Sequence, residues 1–253
     1  MYKETLKLTL NMYKIVLAFV AVGIIITVLG EREILDSSGD VTSSILFIVL
    51  AFYAHFLVLF PGRIQQKEDN NKLIGFLGWS FLLFFLIAIL AALISLPFIG
   101  YAVSTNADAE SGSFGLFILA FVVVYGIVSL FFYSLFGTVL PAHVAGREKG
   151  LKKAFKRGKK NFFYIFGRLL IGPGLIITLS TLVYFALLGA TINSDTLFRD
   201  GWVPNIAAII AEAAFWWINC WATIMVAWVL SKAFMRTDTV DVAAPMKEKM
   251  TSS

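Results

Sequence analysis

Residues 150–179 read GLKKAFKRGKKNFFYIFGRLLIGPGLIITL. The first eleven hold six cations: Lys152, Lys153, Lys156, Arg157, Lys159 and Lys160. From Asn161 to Leu179 the one charged residue is Arg168. So abrupt a change from cationic to apolar marks a chain entering a membrane with its basic flank on the cytoplasmic side.

Five further apolar runs join this one. The six are approximately Met12–Gly30, Thr42–Phe60, Leu73–Val103, Ser113–Leu140, Phe162–Ala190 and Val203–Phe234. Each approaches or exceeds the roughly 20 residues that about 30 Å of hydrocarbon requires. Lipid leaves backbone groups no partner outside the segment, so the runs are expected to be helical. With six crossings marked, 19 of the 21 Lys and Arg residues fall on one side, and only Arg32 and Arg199 on the other. The external loops Glu31–Val41, Ser104–Gly112 and Thr191–Trp202 are short, acidic and turn-like. The expectation is an all-α polytopic membrane protein of six transmembrane helices, both termini cytoplasmic, in a bacterial plasma membrane.

Composition agrees. The 253 residues are 59% hydrophobic and 15% charged, with mean hydropathy +0.83, where soluble domains are roughly 45–50% apolar and about 25% charged. One membrane domain over 1–236 is expected, followed by a flexible cytoplasmic tail over 237–253. The net charge of +5 sits at the ends of spans, which favours a membrane surface over nucleic acid. The first run follows a basic segment, and Val28-Leu29-Gly30 is like a cleavage site. Its length reads instead as an uncleaved first span.

Between spans 4 and 5 lies the most basic segment: Arg147, Lys149, Lys152, Lys153, Lys156, Arg157, Lys159 and Lys160, opposed only by Glu148. On a helix, Leu151, Phe155 and Phe162 form one stripe and the cations from Lys152 to Lys160 the opposite arc. That pattern predicts a short interfacial amphipathic helix, whose cations meet anionic lipid or an acidic partner. A solvated loop that only sets topology is the plainer alternative.

Three short stretches, Leu140-Pro141-Ala142, Gly150-Leu151-Lys152-Lys153-Ala154 and Phe163–Leu170, carry a resemblance over about 30 residues. The chain resembles bacterial six-helix integral membrane families of mostly unknown function, including the membrane domain beside some glycerophosphodiester phosphodiesterases. The resemblance implies architecture. No activity or catalytic residue follows from it.

Within the spans, Glu212 is the costliest residue, at about 2.5–3.5 kcal/mol or more for an ionisable group near a bilayer centre. Glu212, Trp216, Asn219 and Thr223 share a helix face at i, i+4, i+7 and i+11. Either a hydrogen-bonded structural carboxylate or a proton or cation site fits this pattern. His55 reads as a packed residue, Arg168 as one that snorkels to the inner surface, and His143 as a loop residue. Gly172-Pro173-Gly174 predicts a helix break at Leu169–Gly174, because proline removes a donor and clashes with the carbonyl four residues back. Phe60-Pro61-Gly62-Arg63 and Leu140-Pro141 each precede a basic loop, so spans 2–3 and 4–5 read as two copies of one hairpin.

No phosphate loop, His-Glu-x-x-His or Gly-x-Ser-x-Gly motif occurs. No metal site and no cofactor is expected. The leading expectation is a non-enzymatic protein acting by contact, as an accessory or assembly subunit of a membrane complex or a lipid-interacting factor. The alternative is a small transporter or channel using the polar face of span 6 around Glu212.

Overall fold

The computed structural model describes the chain except for residues 33, 35–37, 63–66, 105–111, 148–149, 181, 184–196, 200–202 and 239–253. The chain is an all-α polytopic membrane protein. Its helices are α1 (Tyr2–Asn11), α2 (Tyr13–Glu31), α3 (Ser38–Leu59), α4 (Lys67–Ser104), α5 (Gly112–Phe136), α6 (Val139–Val144), α7 (Leu151–Ser180) and α8 (Ile206–Thr237). Five of them, α2, α3, α4, α7 and α8, are long and apolar enough to cross a membrane. The sixth, α5, has 25 residues, and its described part contributes the shorter apolar helix Phe121–Phe136.

The centre of the bundle is α8. Half of its apolar window is buried inside the protein, against 22–28% for the other spans, so they enclose it and turn their outer faces to lipid. Helices α1, α2, α3, α6 and α7 pack on it. Outside this group α4 packs on α5, and α5 on α7 through rings such as Phe131–Phe162 and Phe136–Phe155. Lipid dissolves the outward apolar side chains, so specificity between helices falls to close packing and polar contacts. Gly23 is one such point, since a Cβ there would lie 2.3 Å from the Trp216 ring.

The connection after α5 differs from the loop expected over Pro141–Asn161. α5 ends at Phe136, and every residue of α6 is buried, including Pro141 and His143. Pro141 sits in the first turn of α6, where proline costs no intrahelical bond. His143 is a core residue: its Nε2 lies 3.0 Å from the Lys72 carbonyl oxygen, and its ring rests on Gly75. Gly146 and Gly150, at φ +66° and +133°, turn the chain from α6 into α7 in conformations open mainly to glycine. The repeat expected for spans 2–3 and 4–5 is not matched in packing, because α3 rests mainly on α8 whereas α5 and α7 lie directly against each other.

The helix expected over the basic segment exists, but it is not a separate interfacial element. It forms the first turns of α7 and runs without interruption into span 5, giving 30 residues and about 45 Å. Its inner stripe is Ala154, Arg157, Gly158, Ile165 and Leu169. The cause is Gly158. A Cβ there would lie 2.1 Å from the Leu135 carbonyl oxygen, so only glycine lets α7 approach the α5 backbone. Arg157, expected on the cationic arc, therefore turns inward and is buried.

At the opposite end, the expected turn over Thr191–Trp202 lies partly outside the described residues. The described part includes a two-residue antiparallel pair, β1 (Phe198–Arg199) with β2 (Val203–Pro204). Both carboxylate oxygens of Glu31 accept from the Leu197 amide, at 2.9 and 3.0 Å, which ties this segment to α2. Asn205 then caps α8, its side chain accepting from the Ala208 amide. Of the tail expected over 237–253, Thr237 and Asp238 finish and cap α8, and the remainder lies outside the described residues.

Candidate functional site: a basic aromatic cleft at one end of the bundle

Two helices present aromatic and basic side chains one turn apart. On α7 these are Tyr164 and Arg168, and on α8 they are Trp228, Lys232 and Arg236. Spacing of four residues stacks each set on one face. Together with Met1, which precedes α1, and Glu4 of α1 they line an open cleft of about 450 Å³.

α1 is set against the cleft by its polar face. Thr5 and Thr9 are fully buried, while Leu6 and Leu10 are exposed, the arrangement expected of a helix with lipid on its outer side. Trp221 donates from Nε1 to Thr5 Oγ1 at 3.3 Å. Within α7, Leu170–Gly174 forms a π turn around Pro173, inside the stretch where the Gly-Pro-Gly pattern predicts a break. Tyr2 donates its hydroxyl to the Ile171 carbonyl in that turn at 2.6 Å. Buried Gly172 leaves room for Met1, whose Cε would lie 2.5 Å from an added Cβ.

Stacking holds the cleft cations. Arg168 lies 4.5 Å from the Tyr164 ring centroid and 5.5 Å from that of Trp228. Arg236 covers Tyr164 at 3.8 Å and Lys232 covers Trp228 at 5.8 Å. Such contacts contribute about 0.5–2 kcal/mol each, depending on desolvation. Among the described residues, none of the three has a carboxylate within ion-pair distance, and Glu4 is the single acidic residue lining the cleft.

The sequence-predicted residues separate into several places. Lys152, Lys153, Lys156, Lys159 and Lys160 are exposed along the outer arc of α7, and Arg147 is exposed before it. Lys149 lies outside the described residues. Arg157 donates from Nη1 to Asp238 Oδ2 at 3.0 Å and lies over Phe234. Glu212 is buried: its Oε1 accepts from Thr27 Oγ1 at 2.9 Å and from Trp216 Nε1 at 3.0 Å. Asn219 and Thr223 are partly buried and bond backward along their own helix, to the Phe215 and Asn219 carbonyls. His55 Nδ1 lies 2.7 Å from Ser231 Oγ in the core. Among the described residues, no group of three His, Cys, Asp or Glu side chains comes together.

Only Arg168 of the predicted residues lines the cleft. Lys232, Arg236, Tyr164, Trp228 and Glu4 were missed. A signal for four of them was present, since aromatic and basic residues alternate at helical spacing where spans 5 and 6 reach the same side. Such residues also serve as ordinary interfacial belts, so spacing alone does not make a site.

In comparisons with protein-family models, curated proteins and solved structures, nothing matches the chain. Fold and site thus define a class, a polytopic helical membrane protein with a basic aromatic cleft at one end.

Proposed function

We propose that the chain is a non-enzymatic membrane protein acting by contact with lipid at its basic end, as a lipid-interacting factor or an assembly subunit. That end, with both termini, faces the cytoplasm of a bacterial plasma membrane. The observation carrying this reading is the cleft, where three cations held by aromatic stacking face a single carboxylate at the ends of two spans. The exposed lysines of α7 add positive charge on the same side, worth about 1 kcal/mol each near an anionic leaflet.

The transporter alternative draws on Glu212. Its carboxylate is engaged by Thr27 and Trp216, which supports a structural link between α2 and α8.

The test is lipid retention. Purified protein reconstituted from mixed phosphatidylcholine and phosphatidylglycerol should be enriched in the anionic lipid by native mass spectrometry. Changing Lys152, Lys153, Lys156 and Lys160 together to Gln should lower that enrichment, with a smaller difference at high salt. Equal retention of both lipids by the unaltered protein would remove the basis of the proposal.

A further inference from the structure

We infer that the cleft between α1, α7 and α8 is a binding site for one phosphate group, with Arg168, Lys232 and Arg236 as its ligands. This rests on the reading of the protein as a lipid-contacting one and names the chemistry it recognises. Three features carry it.

The first is charge. Three cations converge on a space of about 450 Å³, within the roughly 300–1,000 Å³ of small-molecule sites. Glu4 alone opposes them, which leaves a charge excess suited to an anion.

The second is donor geometry. The Arg168 guanidinium is gripped by Tyr164 and Trp228, and Arg236 lies on Tyr164 from the other helix. A guanidinium carries five N–H donors that match phosphate oxygens in pairs, while Lys232 adds a point charge. Rings that fix the cations before binding reduce the ordering cost at binding. A carboxylate or a phosphodiester has two unesterified acceptor oxygens for three cationic donors, whereas a phosphomonoester has three.

The third is the surface beside the cleft. Ile171 and Leu175 are exposed on α7 beyond Arg168, and Met1, which lines the cleft, reaches the neighbouring Gly172. On α1, Leu6 is exposed as well. Apolar surface adjoining a phosphate pocket fits acyl chains below a headgroup. The shared chemistry is the phosphate, and the experiment separates a lipid from a soluble phosphomonoester.

The full chain in non-ionic detergent is titrated by calorimetry with dioctanoyl phosphatidic acid, dioctanoyl phosphatidylcholine and glycerol 3-phosphate. Lys232→Gln and Arg236→Gln should each weaken phosphatidic acid binding about fivefold. Glu4→Gln should tighten it by a similar factor, a gain that damaged folding does not produce. The Lys152, Lys153, Lys156 and Lys160 to Gln variant should bind short-chain phosphatidic acid as the unaltered protein does. Glycerol 3-phosphate binding as tightly as phosphatidic acid, and lost in the same variants, would support the site with a soluble ligand. Undiminished phosphatidic acid binding in both Lys232→Gln and Arg236→Gln would overturn the cleft assignment. The wider lipid reading would survive that result if the α7 lysine variant still lost anionic-lipid retention. Equal binding of phosphatidic acid and phosphatidylcholine by the unaltered protein would overturn both.

Discussion

Arg157 Nη1 lies 3.0 Å from Oδ2 of Asp238, 81 residues away, and this bond joins the start of α7 to the end of α8. The guanidinium is buried and rests on Phe234, while the carboxylate is about one-third exposed. One helix turn further on, Asn161 donates from Nδ2 to the Ala233 carbonyl at 3.1 Å. Both contacts belong to the basic end of the bundle, beside the cleft.

Removing Arg157 should therefore cost stability through the partner it abandons. Arg157→Gln is expected to lower stability by about 1–3 kcal/mol, the range for losing a hydrogen bond to a charged group in a poorly hydrated site. Asp238→Asn keeps an acceptor and should cost less. Thermal unfolding of both variants in detergent checks the order, and a larger loss for Asp238→Asn would contradict it.

At Gly158, helix propensity and packing oppose each other. Alanine is the better helix former by about 1 kcal/mol. Yet its Cβ would lie 2.1 Å from the Leu135 carbonyl oxygen, a backbone atom that cannot rotate away. Overpacking of this kind costs about 1–3 kcal/mol, so Gly158→Ala should destabilise on balance. Gly78 has open space around it, so Gly78→Ala should gain stability or leave it unchanged. Melting temperatures of the pair, measured in one detergent, decide the point.

Glu212 should tolerate an amide and resist a hydrocarbon. Glu212→Gln retains a carbonyl oxygen for Thr27 and Trp216 and removes a charge from a buried site, so it should change stability little. Glu212→Leu leaves both donors without that acceptor and should cost about 1–3 kcal/mol. Growth or transport measured beside stability completes the test. A stable Glu212→Gln protein with lost activity would promote the transporter reading.

Orientation is open to labelling. Membrane-impermeant thiol reagents applied from outside should reach cysteines placed at Ser38, Asn106 and Ser194, and should miss those at Gln65 and Lys153. The natural Cys220 is buried in α8, which keeps the background low. Outside labelling at Lys153 would reverse the proposed orientation.

The succession of spans was legible without coordinates, because lipid imposes a length and a composition that local sequence must satisfy by itself. The residues from Tyr13 to Glu31, for example, announce a helix whatever surrounds them. The burial of the connection that begins at Pro141 was not legible, for the opposite reason. Pro141 and His143 look like loop residues, and their burial depends on α3, α4 and α8 being present to cover them. The same holds for Arg157, whose partner Asp238 is remote in the chain.

What the sequence determined by itself, then, is the all-α membrane-spanning architecture and the concentration of positive charge in one set of loops, since hydropathy and charge act on each segment singly. The cleft was decided only by the tertiary structure. Tyr164 and Arg168 lie more than 50 residues from Trp228, Lys232 and Arg236, and Glu4 is farther still. The cleft and its basic lining exist only where α1, α7 and α8 meet. Their meeting depends on the π turn at Pro173, where Tyr2 bonds the Ile171 carbonyl, and on the buried face of Thr5 and Thr9, where Trp221 bonds Thr5. Those are distances between helices, and no single stretch of chain encodes them.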